Sequence, residues 1–259
     1  MKKILCLFSA LSMVLISSCS SDDSSTDGAS ETLLPKKIVE TTVENGESGS
    51  LTYTITYDGN KLKDIALSDA SRSVYTYTGE VITKVESYKS GILQVTEVYA
   101  YEGGKLASKI TVRESDKTIQ EKLTFVYNAN GAITSKVSDI INNVEIPYDT
   151  TTTYFFSNGN LVSTEYVNGL KEKITSTFDD KKSPFTNITG VKLLLDLDDN
   201  FDFSSVNNTV TNTIVTYDSD GNADKTVSTT TTNKYNDSNF LIESFVGDAI
   251  DSEKLEIVY

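Results

Sequence analysis

One local pattern recurs along the chain and limits its fold more than any other feature. An aromatic residue is followed by a short turn containing Gly or Asn and then by an apolar residue, as in Tyr57-Asp58-Gly59-Asn60-Lys61-Leu62. Further copies begin at Tyr77, Tyr101, Tyr127, Phe156, Tyr217 and Tyr235. Self-similarity at a spacing of about 20 to 30 residues is typical of a repeat architecture.

Each copy has the local chemistry of a β-hairpin. From Leu51 to Tyr57, apolar residues alternate with Thr, which places one apolar face on a strand. Asp58-Gly59 and Asn158-Gly159 supply the positive φ that tight hairpin turns require. We therefore predict an all-β fold, an antiparallel meander of repeated hairpins rolled into a barrel-like or strongly curled sheet.

The repeat stops between Asp179 and Asn208, where Gly190-Val191-Lys192-Leu193-Leu194-Leu195 forms a cluster of leucines. So short an apolar run is compatible with a short helix that covers or plugs an open end of the sheet, and equally with a buried strand. We predict one short helical or irregular insertion near 183–205.

The first 19 residues have the features of an export signal. Lys2 and Lys3 precede an apolar run from Ile4 to Ile16, and the run is shorter than the roughly 20 residues that span a bilayer. Cys19 directly after Ser17-Ser18 resembles a bacterial lipobox, in which cleavage precedes the Cys and its sulfur is acylated. The prediction is a lipoprotein signal peptide over 1–18 and a lipid anchor on Cys19, which attaches the chain to a membrane.

The segment after Cys19 is acidic and rich in Ser, and it has little apolar surface to bury. We predict a disordered tether over 19–34, followed by a single β-repeat domain over 35–259. The acidic start resembles the surface-export signals of Bacteroidetes lipoproteins, although a plain spacer is the alternative. The expected location is the outer membrane, lipid-anchored and exposed on the cell surface.

Charge and composition exclude several classes of function. The net charge is −14, and it becomes −16 when Lys2 and Lys3 leave with the signal, so nucleic acid is not an expected partner. The chain has no His, and its two cysteines are Cys6 in the signal and Cys19. Ser-His-Asp and Cys-His catalysis and the usual zinc sites are therefore excluded, and we expect neither a cofactor nor a catalytic residue.

Two acidic segments resemble calcium loops. The densest contains the candidate ligands Asp196, Asp198, Asn200 and Asp202. An EF-hand would need Gly where Phe201 stands and Glu where Asn207 stands, so we expect an exposed acidic loop and no metal. The second segment, Asp218-Ser219-Asp220-Gly221-Asn222, lies at a predicted turn, where these residue types are favoured for backbone reasons alone.

The aromatic residues form rows that are compatible with a ligand platform or with packing between strands. Their members are Tyr53, Tyr57, Tyr99, Tyr101, Tyr127, Tyr154, Phe156, Tyr217 and Tyr235. Periodic aromatics at strand ends are more typical of cross-strand packing, worth roughly 0.2–1 kcal/mol per pair. The ligand-binding residues therefore stay unassigned at this stage.

These features together resemble a group of uncharacterised Bacteroidetes lipoproteins. The likeness rests on the lipobox, the acidic tether, the Tyr-Asp-x-x-Gly-like hairpins, the segment Asp179-Asp180-Lys181-Lys182-Ser183-Pro184-Phe185 and Asn207-Asn208. The group is related to the Tyr-Asp-repeat proteins and includes a domain-of-unknown-function family described as having a porin-like fold. Thr78 and Glu102 depart from the pattern, since Asp is expected there. The resemblance implies a rolled, barrel-like meander and carries over no catalytic residue.

The faces opposite the aromatic rows consist of Thr, Ser, Lys and Glu, which suit water better than a lipid-facing band. We therefore expect a non-enzymatic, lipid-anchored surface protein that binds a glycan or a partner protein. One alternative is a periplasm-facing accessory subunit of an outer-membrane transport or assembly complex. Another is a His-free glycoside hydrolase that uses two carboxylates about 5–9 Å apart.

Overall fold

The computed structural model describes residues 32–195 and 202–259. Within them, sixteen antiparallel strands follow one another as a meander, and β16 pairs with β1 to close a barrel. The strands are β1 Lys37–Glu44, β2 Glu47–Asp58, β3 Lys61–Leu67, β4 Ser71–Thr78, β5 Val81–Lys89, β6 Ile92–Glu102, β7 Lys105–Arg113, β8 Asp116–Tyr127, β9 Ile133–Ile141, β10 Val144–Ser157, β11 Asn160–Asn168, β12 Leu170–Phe178, β13 Thr209–Tyr217, β14 Ala223–Tyr235, β15 Leu241–Gly247 and β16 Ser252–Val258. The predicted all-β antiparallel meander is confirmed, and its barrel is closed.

The recurring aromatic residue marks a β-bulge. The register shifts beside Tyr57, Tyr77, Tyr101, Phe156 and Tyr235, just before the turn in each case. The extra residue on the returning strand lets side chains three positions apart face the same way. Leu62 and Ile65 are both buried for this reason, as are Ile82 and Val85. The bulges thus turn two residues of the returning strand toward the inside of the barrel, the lumen, and in these two hairpins both residues are apolar.

The two ends of the barrel differ. At one end lie the β2–β3, β4–β5, β6–β7, β8–β9, β10–β11 and β14–β15 turns, together with the segment that joins β12 to β13. We call it the plugged end, because this joining segment packs into it. The other end carries the remaining turns, and the lumen-facing Leu170 and Val227 are 59% and 41% exposed there. We call it the open end.

The plug is the insertion between β12 and β13, residues 179–208, of which 196–201 lie outside the described part. Its regular structure among the described residues is one 3₁₀ turn, Val191–Leu193. The predicted short helical or irregular insertion is confirmed, and the alternative of a buried strand is wrong. The insertion buries Phe185, Ile188, Val191, Leu194, Leu195 and Phe203 in the barrel core.

Backbone hydrogen bonds attach the plug to three turns of the plugged end. The Thr189 N–H donates to the Asn60 carbonyl at 2.9 Å, and the Val206 N–H donates to the Gly159 carbonyl at 3.2 Å. The Lys182 N–H donates to the Asn239 carbonyl at 2.9 Å. Because these turns lie on well-separated hairpins, the insertion spans the whole end.

The outward face of the wall carries ion pairs between neighbouring strands. On β15, Glu243 contacts Lys234 of β14 at 2.6 Å and Lys254 of β16 at 3.5 Å. Glu165 of β11 likewise contacts Lys171 and Lys173 of β12. Such a surface suits water, since a lipid-facing wall carries an apolar band.

Among the residues described, no helix is long and apolar enough to span a bilayer.

Candidate functional site

One cavity lies inside the lumen, between the plug and one side of the wall. Its volume is about 290 Å³. It is lined by Ile38, Ser183, Pro184, Phe185, Asp202, Asn207, Asn208, Thr209, Asn212, Thr231, Asn233, Leu241, Ser244, Val246, Glu253, Leu255 and Ile257. The plug therefore supplies the floor of the cavity, and strands β13 to β16 with β1 supply its wall.

Strand register brings the polar side chains of the wall together. Asn233, Ser244 and Leu255 pair in one row across β14, β15 and β16, so they share the inward face. Thr231, Val246 and Glu253 form the next row toward the open end. The cavity wall therefore presents amides and hydroxyls beside aliphatic groups.

Asp179, the first residue of the insertion, connects the plug to this wall. Its Oδ1 accepts hydrogen bonds from the Lys181 N–H at 2.8 Å and from the Asn208 N–H at 3.2 Å. Its Oδ2 accepts from Asn233 Nδ2 at 3.4 Å and from the hydroxyl of Tyr235. Burial and then this hydrogen bond raise the pKa of Tyr235 well above its ordinary value, so the hydroxyl stays a donor. One carboxylate thus holds two of the cavity-lining asparagines, Asn208 and Asn233.

The side-chain carbonyl of Asn233 is an unused acceptor. Its Nδ2 donates to the Thr209 carbonyl at 3.0 Å, whereas Oδ1 is buried and has no partner among the described residues. A buried polar atom without a partner is unusual in a folded protein. This wall of the cavity therefore holds an acceptor whose hydrogen-bonding capacity is not used by the described residues.

Two glutamates face the lumen beside the cavity. Glu40 pairs with Leu255 and Thr42 pairs with Glu253 in the β1–β16 ladder, so the two carboxyl groups are diagonal neighbours. The Tyr53 hydroxyl donates to Glu40 at 2.5 Å. Partial burial, and then the charge of Glu40, raise the pKa of Glu253. The described lining contains Asp202 and Glu253 but neither Lys nor Arg, so it disfavours anionic ligands.

Most of the predicted aromatic rows are structural. Tyr53, Tyr99 and Tyr154 are buried in the core. At the plugged end, Tyr77 donates to the Thr189 carbonyl at 2.9 Å and Tyr101 donates to the Ile82 carbonyl at 2.8 Å. Burial raises the pKa of each of these two hydroxyls to about 12.

The remaining members of the rows lie at several places. Tyr57, Phe156 and Tyr235 pack partly buried against the core, and the Tyr57 hydroxyl donates to the Pro35 carbonyl at 2.7 Å. Tyr217 is partly buried at the start of an open-end turn, and Tyr127 is exposed at a plugged-end turn. The described aromatics therefore form no single exposed platform.

The predicted calcium ligands Asp196, Asp198 and Asn200 lie outside the described residues, as does the predicted lipidation site Cys19. Asp202 is described, and its Oδ1 accepts from the Ser204 N–H at 2.9 Å and the Ser205 N–H at 3.1 Å. Within the described ranges, no group of three or more metal-ligating side chains converges.

The second calcium-like segment caps its own turn. Asp218 Oδ1 accepts from the Asp220 N–H at 3.0 Å and the Asn222 N–H at 2.8 Å. These backbone bonds hold the carboxylate in its turn and lower its pKa.

Comparison with known proteins gives a structural match only. No protein-family model and no curated protein matches the sequence. Among solved structures, the chain is similar to a porin-like protein from Bacteroides uniformis, with a TM-score of 0.52 and 11% sequence identity. The match covers 86% of this chain and 96% of the other chain. The porin-like fold is confirmed, whereas kinship with lipoproteins or Tyr-Asp-repeat proteins stays a prediction.

Proposed function

We propose that the chain is a non-enzymatic, lipid-anchored binding protein, and that its lumen cavity binds a small hydroxyl-rich ligand such as a glycan end. The observation that carries the proposal is the composition of the cavity. Amide and hydroxyl groups of Asn212, Asn233, Thr231 and Ser244 line one wall of a space of about 290 Å³. Such groups both donate and accept, which is what a sugar hydroxyl requires.

The electrostatics support a neutral or cationic ligand over an anionic one. The described lining holds two carboxyl groups, those of Asp202 and Glu253, and no basic side chain. Aliphatic and aromatic side chains of Phe185, Leu241 and Ile257 offer contacts to the carbon skeleton of a sugar. Ligand sites generally combine an apolar lining with a few placed polar groups.

A saccharide library tests the binding proposal. We expect a small set of saccharides to bind, and Asn212→Leu to weaken their binding about tenfold, because it removes hydrogen bonds and leaves a ligand group unpaired. Gln120→Leu is the matched control, since Gln120 lies on the outward face opposite Ile140. Isothermal titration calorimetry gives both dissociation constants. Failure of every saccharide to bind, or equal weakening by both substitutions, contradicts the proposal.

The anchor proposal rests on the lipobox-like Cys19 and on the polar outward face of the barrel wall. The polar wall agrees with a barrel that stands in water beside the membrane.

Protease shaving of intact cells tests the location. We expect the barrel domain to be cleaved from the surface while a periplasmic control protein survives, because an outer-leaflet lipoprotein is accessible to added protease. Cys19→Ala should leave the domain unlipidated and remove it from the membrane fraction. Protection of the domain until the outer membrane is broken would instead favour the periplasm-facing accessory subunit.

One observation favours a second candidate, a carboxylate-dependent glycoside hydrolase. Glu40 and Glu253 are lumen-facing diagonal neighbours, and the raised pKa of Glu253 favours its protonated form. An acid and an ionised partner near one another are the two groups that glycoside hydrolysis needs. Release of a new reducing end from a bound saccharide would support this candidate, and binding without release supports the proposal above.

A further inference from the structure

The open end carries a ring of exposed aliphatic side chains. The four most exposed large apolar residues in the described part of the chain are Ile92, Val144, Leu170 and Ile250, with 66%, 62%, 59% and 60% of their surface accessible. All four lie at turns of the open end, on the β5–β6, β9–β10, β11–β12 and β15–β16 hairpins. We call these four residues the aliphatic rim.

Turn geometry does not require apolar side chains at these positions. Ile92, Val144 and Leu170 each begin the returning strand, directly after a residue with positive φ. At the plugged end, the corresponding first residue of the returning strand is often polar, as at Lys61 and Lys105. The rim therefore exposes apolar surface that the hairpins do not need.

The exposed surface extends beyond the rim on the β9–β10 hairpin and on the neighbouring strand β8. Ile119, Ile146 and Tyr148 are also exposed, between 43% and 49%. Ile119 pairs with Ile141, which in turn pairs with Val144, so these side chains share one face. Contiguous exposed apolar surface marks an interaction site more often than single exposed residues do.

Acidic side chains surround the same end on three neighbouring hairpins. They are Glu44, Glu47, Asp218, Asp220, Asp224, Asp248, Asp251 and Glu253, accompanied by the basic residues Lys225 and Lys254. On the other hairpins, Lys89 pairs with Ile92 and Lys171 follows Leu170. Two hydrogen bonds join two of these turns, from the Asn45 N–H to Asp251 at 2.9 Å and from the Gly46 N–H to the Ile250 carbonyl at 3.0 Å. Anionic lipid head groups and a second copy of this acidic chain are both repelled by such a surface.

We propose that the aliphatic rim docks a protein partner whose contact face is apolar and basic. Contact with the aliphatic rim would bury the partner's apolar side chains, and the acidic turns would favour a partner whose contact face is positively charged. This surface shares Glu253 with the lumen cavity, but the proposal does not depend on the ligand proposed for that cavity.

A short amphipathic helical peptide of leucine and lysine is the probe, and its leucine–glutamate counterpart is the charge control. In fluorescence anisotropy, we expect the basic peptide to bind the full chain, more weakly at high salt, and the acidic peptide not to bind. Changing all four rim residues to Thr should raise the dissociation constant of the basic peptide by at least about tenfold, because the apolar contact is lost. The matched control changes Val98, Val126, Val167 and Val258 to Thr, since these are exposed on the outer wall.

Several outcomes would overturn the proposal. Absence of peptide binding, or equal weakening by the rim and wall variants, shows that the rim does not dock such a face. Rim-dependent binding to vesicles of phosphatidylcholine or phosphatidylglycerol would identify a membrane as the occupant instead. Rim-dependent dimerisation in analytical ultracentrifugation would identify a second copy.

Discussion

Gly190→Ala is expected to lower the free energy of unfolding by about 2–5 kcal/mol, through a strained backbone and a steric clash in the plug. Gly190 has a φ of 81°, in the left-handed region. A Cβ at this position would stand 2.7 Å from the carbonyl oxygen of Glu80, on the β4–β5 turn, and 3.2 Å from the Tyr77 ring. Since the carbonyl belongs to the backbone, it cannot move aside without displacing the turn.

Gly221→Ala separates the effect of backbone strain from the effect of the steric clash. Gly221 has the same φ of 81°, but a Cβ there would meet nothing within 4 Å. We expect this substitution to cost only the backbone strain, about 1–2 kcal/mol. Urea unfolding, monitored by tyrosine fluorescence, gives the free energy of unfolding of both variants, because the chain has 14 Tyr and no Trp. Equal destabilisation by the two substitutions would mean that the plug does not seat on the β4–β5 turn.

Asp179→Ala is expected to lower the free energy of unfolding by about 2–4 kcal/mol, because several donors lose their shared acceptor at once. These donors are the Asn208 N–H, Asn233 Nδ2 and the Tyr235 hydroxyl. Saccharide affinity should fall as well, since Asn208 and Asn233 line the cavity.

The neighbouring carboxylate provides the control for this second substitution. Asp180 is 85% exposed and makes one ion pair, with Lys181 at 3.0 Å. Asp180→Ala should therefore change stability by no more than about 0.5 kcal/mol. Thermal unfolding and calorimetric titration of both variants test the expectation. If the two substitutions have the same small effect, Asp179 does not hold the plug to the wall.

Local sequence signals were sufficient for the wall of the barrel. The alternation from Leu51 to Tyr57 and the Gly turns predicted hairpins, and hairpins in series produce a meander. Barrel closure depends on pairing between β1 and β16, which are separated by nearly the whole chain. No local pattern specifies that contact. The sequence was therefore compatible with both a curled sheet and a closed barrel.

The bulges explain why the strict alternation of inward and outward side chains is interrupted after turns of the plugged end. Leu106 and Lys109 are three residues apart and are both buried, because the register shifts beside Tyr101. The tyrosines were expected to pack across strands, but their positions in the sequence did not indicate the hydrogen-bond partners of their hydroxyls. For Tyr77 the partner is distant in the sequence, because its hydroxyl donates to the Thr189 carbonyl, 112 residues away.

The cavity had no sequence signature at all. Asn212, Asn233 and Ser244 lie on three strands and belong to no motif, and they converge only because strand register aligns them. The insertion between β12 and β13 is the sequence feature that points toward them, because a loop that enters a barrel leaves space where it does not fill the lumen. The leucine cluster at 190–195 was compatible with a plug and equally with a buried strand, and it did not indicate which wall a plug would leave free.

Protection of an engineered cysteine tests most directly whether the ligand binds in the lumen cavity. The chain from Thr32 to Tyr259 contains no cysteine, so Ser244→Cys in the cavity wall and Ser238→Cys on an exposed turn each provide a single thiol. At a saccharide concentration about ten times the dissociation constant, maleimide labelling at position 244 should slow about tenfold, by mass action. Labelling at position 238 should not change. Unchanged labelling at position 244 with saturating saccharide would contradict binding in the cavity.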